Sequence, residues 1–182
     1  MAIFLIVLTV LVVAVILVFN RLVKDRNQVR AGWGDIDVQL TRRHDLVPQL
    51  VAAVKAYADF EQATLTAVTE LRSRSQATAQ LAEKAHLEGE MADGIKRLIA
   101  VAESYPELKA DGNFQQLQRD LVEIEDYLQY ARRFYNGAVR IFNTRIESFP
   151  SLLIARPMGF RQAEFFAVAG EEVRAAPKIE LS

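Results

Sequence analysis

The chain has 182 residues, with 22 Lys and Arg against 23 Asp and Glu, and it has no cysteine. This length predicts one domain of ordinary size. A net charge of −1 argues against a nucleic-acid-binding protein, since such domains are usually strongly basic. The lack of cysteine excludes disulfides, thiolate metal sites and a cysteine nucleophile, and only two histidines remain for a metal centre. We therefore expect no metal centre.

The N-terminal segment, residues 1–20, is predicted to anchor the chain in a membrane. Of the 19 residues from Met1 to Phe19, 18 are hydrophobic and none is charged. As a helix, the 18 residues Ala2–Phe19 span about 27 Å, which just covers the hydrocarbon core of a bilayer. A cleaved signal peptide is the alternative, but no Lys or Arg precedes the run, and the run exceeds the roughly 7–15 residues typical of such a peptide. A buried core helix would need a larger core than this chain supplies.

The charges that flank this segment predict its orientation. Several basic side chains and one acid follow the segment, whereas only the terminal amine precedes it. The positive-inside rule therefore favours a single pass through the bacterial inner membrane with a cytoplasmic body, and a periplasmic body is the alternative. The flanking charges are Arg21, Lys24, Asp25, Arg26 and Arg30.

Beyond the anchor, apolar residues recur every three or four positions, which predicts helices throughout residues 21–150. The clearest helix covers 113–149, with Asn113 as its N-cap, and ends before a proline. Another covers 84–105 and is followed by a turn over 106–112. The apolar stripe of the 113–149 helix is too broad for a two-stranded seam. The predicted fold is therefore all-α, with the anchor helix continuing into an elongated antiparallel up-and-down bundle of about four helices.

The pattern in the first half of the chain predicts one helix over about 21–80. The three-four spacing runs from Val29 to Val68 and keeps its phase across Pro48. Because a loop usually resets the phase, we expect a continuous helix that is kinked near Pro48, where the ring removes one backbone hydrogen bond. The alternative is a break, with Asp45 as N-cap and Pro48 in the first helical turn, where a missing N–H costs nothing.

The tail, residues 151–182, is predicted to contain a short helix that packs on the bundle. Pro157 interrupts its first part, whereas 161–170 could form a short helix that exposes Phe165, Phe166 and Val168 on one side. We expect this tail to cover the open end of the bundle. The alternative is an aromatic patch that docks on the membrane or on a partner.

Several polar side chains lie where the helical pattern expects contacts between helices. Asp35 and Asp37 point about 200° apart on a helix and cannot share a proton or a metal ion. Glu61 stands at an apolar position, where burial would cost several kcal/mol unless a partner such as Arg132 or Arg133 compensates its charge. We interpret the whole set as structural or interaction residues. The set is Trp33, Asp35, Asp37, Gln39, Arg42, Arg43, Asp45, Pro48, Glu61, Arg132, Arg133, Asn136 and Asn143.

The sequence carries no motif that is typical of an enzyme. It has no glycine-rich phosphate loop, no G-x-S-x-G and no H-E-x-x-H. His44 lies on the apolar stripe and is predicted to be an interior or rim histidine. A polar row on the 113–149 helix is predicted to hydrogen-bond between helices, and anion binding is the alternative. This row comprises Arg132, Asn136, Arg140 and Asn143.

The stretch Ala31–Tyr57, AGWGDIDVQLTRRHDLVPQLVAAVKAY, resembles the LemA family. The likeness rests on a Trp before Asp-Ile-Asp, then Val-Gln-Leu, paired arginines and Asp-Leu-x-Pro-x-Leu-Val, and further ordered matches continue to Gly159-Phe160. The resemblance implies a single-pass bacterial membrane protein with a long antiparallel helical bundle, no established enzymatic activity and no cofactor. One departure is visible: family members often carry His before the glutamate of the second helical segment, where this chain has Phe60-Glu61.

Together these features predict a membrane-anchored scaffold or interaction protein of the bacterial envelope that is not an enzyme. Its expected partners are the lipid bilayer, further copies of itself and other membrane proteins, but not nucleic acid. The anchor has no small-xxx-small face, so the soluble helices are expected to drive self-association. The alternatives are an accessory or regulatory subunit of a membrane enzyme such as a protease, and a catalytic or proton-handling role centred on Glu61.

Overall fold

The computed structural model describes residues 1–57 and 62–167, and within these ranges every regular element is a helix. The prediction of an all-α protein is therefore confirmed. The described residues belong to two units: residues 1–36 with 130–165 form the first unit, and residues 37–57, 62–129 and 166–167 form the second. In chain order the helices are α1 Ala2–Lys55, α2 Gln62–Ala77, α3 Leu81–Ala102, α4 Pro106–Ala110, α5 Gly112–Glu147 and α6 Leu152–Ala155.

α1 is a single helix of 54 residues that contains both the apolar N-terminal run and the more polar segment after it. Among the described residues it is the one helix long and apolar enough to cross a membrane, and none of its apolar window is buried. Water disfavours such an extent of exposed apolar surface, which makes the run a candidate membrane span. The helix continues through Pro48 to Lys55, so the alternative of a break at Asp45 does not occur.

The prediction of one helix over 21–80 is wrong. α1 ends at Lys55, a turn follows, and α2 packs back against α1, because Arg72 Nε donates to the carbonyl oxygen of His44 at 2.7 Å. Val54 on α1 and Val68 on α2 lie in the same core. Because α1 and α2 bury apolar side chains in the same core, the three-four spacing continues from one helix to the next even though the chain changes direction.

The core of the second unit is mostly aliphatic. Two local features of this unit differ from the sequence-based prediction. α4 occupies most of the predicted turn over 106–112 and buries Leu108. α5 begins at Gly112 because Asp111, and not Asn113, caps it: Phe114 N donates to Asp111 Oδ1 at 2.8 Å. The core side chains are Val47, Leu50, Val54, Leu65, Val68, Met91, Ile95, Leu98, Ala102, Leu108, Phe114, Leu117 and Leu121.

Gly94 allows α3 to approach α2 closely. A Cβ atom at this position would lie 2.5 Å from Cγ2 of Val68, whose side chain is fully buried. We expect Gly94→Ala to lower the free energy of unfolding by about 1–3 kcal/mol through overpacking, despite the better helix propensity of alanine. In a Val68→Ala background the clash is absent, so the same change should stabilise by about 1 kcal/mol. Urea unfolding of the four proteins measures this coupling, and additive effects would contradict it.

In the first unit α1 and α5 run antiparallel. Asp25 pairs with Arg145, and Trp33 packs edge-to-face on Tyr135 with 6.0 Å between ring centroids, so the α5 residue number falls as the α1 number rises. This register brings the C-terminal end of α5 to the level at which the apolar run of α1 ends. The buried apolar side chains are Leu22, Val29, Ile36, Ala131, Tyr135, Ala138, Val139, Phe142, Ile146 and Ala155.

The tail follows a different path from the predicted short helix over 161–170. Its short helix is α6, whereas residues 160–167 are not helical. Asn143 on α5 accepts a hydrogen bond from Ala163 N and donates one to Ala163 O, both at 2.9 Å. Tyr135 Oη donates to Glu164 O at 2.8 Å. These bonds satisfy backbone groups that a helix would otherwise pair, so the segment lies along α5.

The alternative prediction for the tail is an exposed aromatic patch, and the described part of the tail does not form one. Phe165 is 47% exposed, but Phe166 is buried. Val168 and the rest of the tail lie outside the described residues, so their predicted placement is not tested.

Candidate functional site

A group of polar side chains meets in the interior of the second unit. Arg43 and His44 on α1 are both buried, and both contact Glu88 on α3, which is 2% exposed. Arg43 Nη1 lies 3.3 Å from Glu88 Oε2, and His44 Nε2 lies 2.7 Å from Glu88 Oε1. Ser75 on α2 donates to the same Oε1 oxygen. Arg43 Nη2 donates to Glu125 Oε2 on α5. We call these five residues the buried ionic network.

The network exists because α1 is enclosed over a broad face at this level. Adjacent helical residues point about 100° apart, so Arg43 and His44 are both buried only if neighbours cover two sides of α1. α3 supplies Glu88 to both side chains, while Arg43 also reaches α5. Since a carboxylate only accepts hydrogen bonds, the proton between His44 and Glu88 resides on His44 Nε2.

The surroundings of Glu88 hold its carboxyl in the charged form. Burial by itself raises the pKa, but hydrogen bonds from His44 and Ser75 and the positive charge of Arg43 outweigh it, so the pKa of Glu88 is lowered. The buried carboxylate is therefore fully paired, which is the arrangement that makes such a group compatible with a folded interior.

This lowered pKa predicts a loss of stability in acid. A group with a lower pKa in the folded state stabilises the fold above its unfolded pKa, and this contribution disappears as the pH falls through the folded pKa. We expect the free energy of unfolding to decrease as the pH drops below about 4.5, which is the ordinary pKa of the Glu88 carboxyl. Urea unfolding between pH 7 and pH 3 measures it, with Glu88→Gln as the control. The prediction is wrong if both proteins lose stability with the same pH profile.

The predicted site residues of α1 lie mostly on the surface, apart from Arg43. Trp33 is half-buried against Tyr135, as described above. Arg42 Nη1 donates to Gln39 Oε1 at 3.3 Å in an exposed contact. The structure therefore does not bring this predicted set together as one site. The exposed members are Asp35, Asp37, Arg42, Asp45 and Pro48.

The predicted structural or interaction residues of α5 make several kinds of contact. Asn143 holds the tail, and Arg133 lies over the ring of Tyr130, 4.8 Å from its centroid. Arg132 and Asn136 are half-buried and take part in further contacts. Glu61 lies outside the described residues, so neither its predicted pairing nor its alternative proton-handling role is tested.

Sequence reasoning missed the acid at the centre of the buried ionic network. Glu88 stands next to Leu87 on the edge of the predicted apolar stripe of α3, where a charged residue usually faces water. One signal was available: two basic residues, Arg43 and His44, lie side by side where the stripe of α1 faces its neighbours, and a buried arginine requires an acid. Within the described ranges, no three acidic or histidine side chains are arranged to hold a metal ion.

A second feature lies on the outside of the first unit. Tyr130, Phe134 and Ile141 on α5 are 66%, 48% and 51% exposed, which is unusual for side chains of this size. Their spacing places them on one face of the helix together with Gly137, where an added Cβ would meet no atom within 4 Å. We call Tyr130, Phe134, Gly137 and Ile141 the α5 surface row.

Comparison with known proteins identifies the family. Residues 32–181 match the family model described as the LemA family. The chain belongs to the LemA family. The match begins within α1, after the apolar run, and includes every member of the buried ionic network and of the α5 surface row. The predicted resemblance is therefore confirmed.

This LemA-family chain is also similar to individual proteins. It is 24% identical over 174 residues to magnetosome protein MamQ 2 of Paramagnetospirillum magneticum, covering 81% of this chain and 64% of that protein. It is 25% identical over 149 residues to protein LemA of Metamycoplasma hominis, covering 81% and 68%. MamQ of Magnetospirillum gryphiswaldense is 22% identical over 174 residues, covering 81% and 64%. The chain thus spans less than two thirds of the length of the MamQ proteins.

Proposed function

We propose that this LemA-family protein is a membrane-anchored scaffold whose helical body binds other proteins, beginning with further copies of itself. The observation that carries the proposal is the continuity of α1, whose unburied apolar run leads without a break into the core of the first unit. A helix with no interruption holds the body at a fixed height above the bilayer. Trp33, which contacts α5, stands 14 residues beyond Phe19, or about 21 Å along the helix axis.

The α5 surface row is the surface that we assign to self-association. Aromatic side chains are enriched in protein interfaces, and burial of exposed apolar side chains by a partner stabilises the complex. Since every copy has the same anchor, the rows of neighbouring copies stand at the same height and can meet in a symmetric contact. Confinement to the bilayer raises the effective concentration of the rows and so strengthens a weak contact.

We further propose that the protein is not an enzyme and that its body lies in the cytoplasm. The paired state of Glu88 supports the first statement, because a carboxylate held by three donors is poorly suited to accept a proton from a substrate. The basic residues after the apolar run support the second. Protease added to spheroplasts should leave the body intact, and removal of the body from outside would place it in the periplasm.

The mass of the full chain in mild detergent tests the scaffold proposal. Light scattering combined with chromatography separates the protein mass from the detergent mass. We expect a protein mass that is a multiple of 20.5 kDa and falls on dilution. A mass of one chain at every concentration, both in detergent and in lipid nanodiscs, would contradict self-association.

A further inference from the structure

A cleft in the first unit lies where the apolar run of α1 ends. Its volume is about 570 Å³, and α1, the last turns of α5 and the segment after α5 form its walls. Phe160 contacts Phe19 at the same level, with 6.0 Å between ring centroids. If the apolar run occupies the bilayer core, as the proposed function requires, this cleft opens at the boundary between the hydrocarbon and the lipid headgroups.

Positive charge collects in this cleft, and an acid of the same unit neutralises one of the three side chains that carry it. Arg21, Arg140 and Arg145 line it, and only Arg145 is paired with an acid, namely Asp25. In the part of the chain that the structure describes, Arg21 and Arg140 make no ion pair, and both are exposed. An arginine that projects freely toward the headgroup region binds phosphate well, because its guanidinium donates two parallel hydrogen bonds.

The rest of the lining fits the remaining parts of a phospholipid. The hydroxyl groups of Thr144 and Ser151 supply donors for the phosphate and glycerol oxygens, whereas the Ser148 hydroxyl already donates to the carbonyl oxygen of Thr144. Val18 provides an apolar wall, as does Phe149, which is 81% exposed. An acyl chain that covers these walls would remove apolar surface from water.

From this placement we propose that the cleft binds one anionic phospholipid, with the phosphate between Arg21 and Arg140 and an acyl chain against Val18 and Phe149. This inference rests on the proposed membrane anchoring, and it adds that the protein binds anionic lipids in preference to neutral ones. A free phosphate ion shares the headgroup chemistry, but it would leave the apolar half of the cleft empty. The bound lipid would connect α1 to α5 at the membrane surface.

Native mass spectrometry of the full chain in detergent tests the proposal. The protein is titrated with phosphatidylglycerol or with phosphatidylcholine, and the lipid bound per chain is counted. We expect one phosphatidylglycerol to be retained at least about tenfold more tightly than phosphatidylcholine. The variant Arg21→Gln with Arg140→Gln should lose this preference. Thr144→Trp, which fills the cleft without changing its charge, should lose it as well.

The matched control removes two other positive charges from the same unit. Lys24 and Arg156 are exposed and lie outside the cleft, so Lys24→Gln with Arg156→Gln should keep the preference within about twofold. Equal losses in both double variants would show diffuse attraction and refute the site. Displacement of the bound lipid by inorganic phosphate would refute the assignment to a lipid.

Flotation of the same proteins with phosphatidylglycerol vesicles separates this inference from the proposed anchoring. A chain that floats but shows no preference for the anionic lipid refutes the cleft and leaves the anchor standing. A chain that does not float refutes both. Unchanged helix content of each variant by circular dichroism confirms that a lost preference does not come from unfolding.

Discussion

Replacing Glu88 with alanine is expected to lower the free energy of unfolding of the second unit by about 3–5 kcal/mol. The change leaves Arg43, which is 4% exposed, with Glu125 as its remaining acid and leaves His44 Nε2 without its acceptor. A buried charge that loses its partner cannot recover hydration, which makes this loss larger than that of an ordinary hydrogen bond. Urea unfolding of the full chain in detergent, followed by helix content, measures the shift in midpoint.

A matched control lies two residues further along α3, where the side chain points to solvent. Glu90 is exposed and its carboxylate lies 3.6 Å from the imidazole of exposed His86, so Glu90→Ala should cost no more than about 1 kcal/mol. Glu88→Gln keeps the shape and one acceptor but not the charge, so its cost should fall between those of the two alanine variants. A Glu88→Ala protein within 1 kcal/mol of the unaltered chain would show that the buried ionic network does not stabilise this unit.

Replacing Tyr130 and Phe134 together with serine is expected to weaken self-association about 100-fold or more. Interface aromatic residues commonly contribute 2 kcal/mol or more each when truncated, and about 1.4 kcal/mol corresponds to a tenfold change in affinity. Both side chains are about half exposed or more, so the first unit should remain folded without them. Light scattering of the full chain across a dilution series measures the change in the dissociation constant.

The control for this variant removes two exposed hydrophobic side chains elsewhere. Tyr57 and Val122 are 42% and 57% exposed and lie in the second unit, so Tyr57→Ser with Val122→Ser should leave the oligomer intact. Thermal unfolding of both double variants shows whether the fold is retained. Equal dissociation in the two double variants would mean that general surface hydrophobicity, and not the α5 surface row, holds the copies together.

The sequence predicts those parts of this fold that depend on local periodicity. The three-four spacing of apolar residues locates α3 and α5 to within a few residues, and the apolar N-terminal run is recognisable by length and composition alone. The turn between α1 and α2 escapes the same reasoning, because phase is preserved when Val54 and Val68 face one shared core. Periodicity reports which face is buried and not the direction in which the chain runs.

The candidate sites were harder to predict because they depend on tertiary neighbours. In the sequence, Glu88 lies beside an apolar stripe, as many solvent-exposed charged residues do. Only the packing of α1 against α3 makes Glu88 the centre of a network. The helical pattern places Asn143 in a polar row between helices, yet its partner is the backbone of Ala163 in the tail. The α5 surface row is missed for the converse reason, since exposed aromatic residues on a helix look like part of its core.

Cross-linking between copies in native membranes tests the scaffold proposal most directly. The chain contains no cysteine, so one introduced cysteine reports one position. Gly137 lies in the α5 surface row, Gly112 lies in the second unit, and an added Cβ at either meets no atom within 4 Å, so both positions accept the change. The account predicts that Gly137→Cys forms a cross-linked dimer of this chain under mild oxidation, whereas Gly112→Cys does not. Cross-linking of neither variant, or of both to the same extent, would contradict assembly through the α5 surface row.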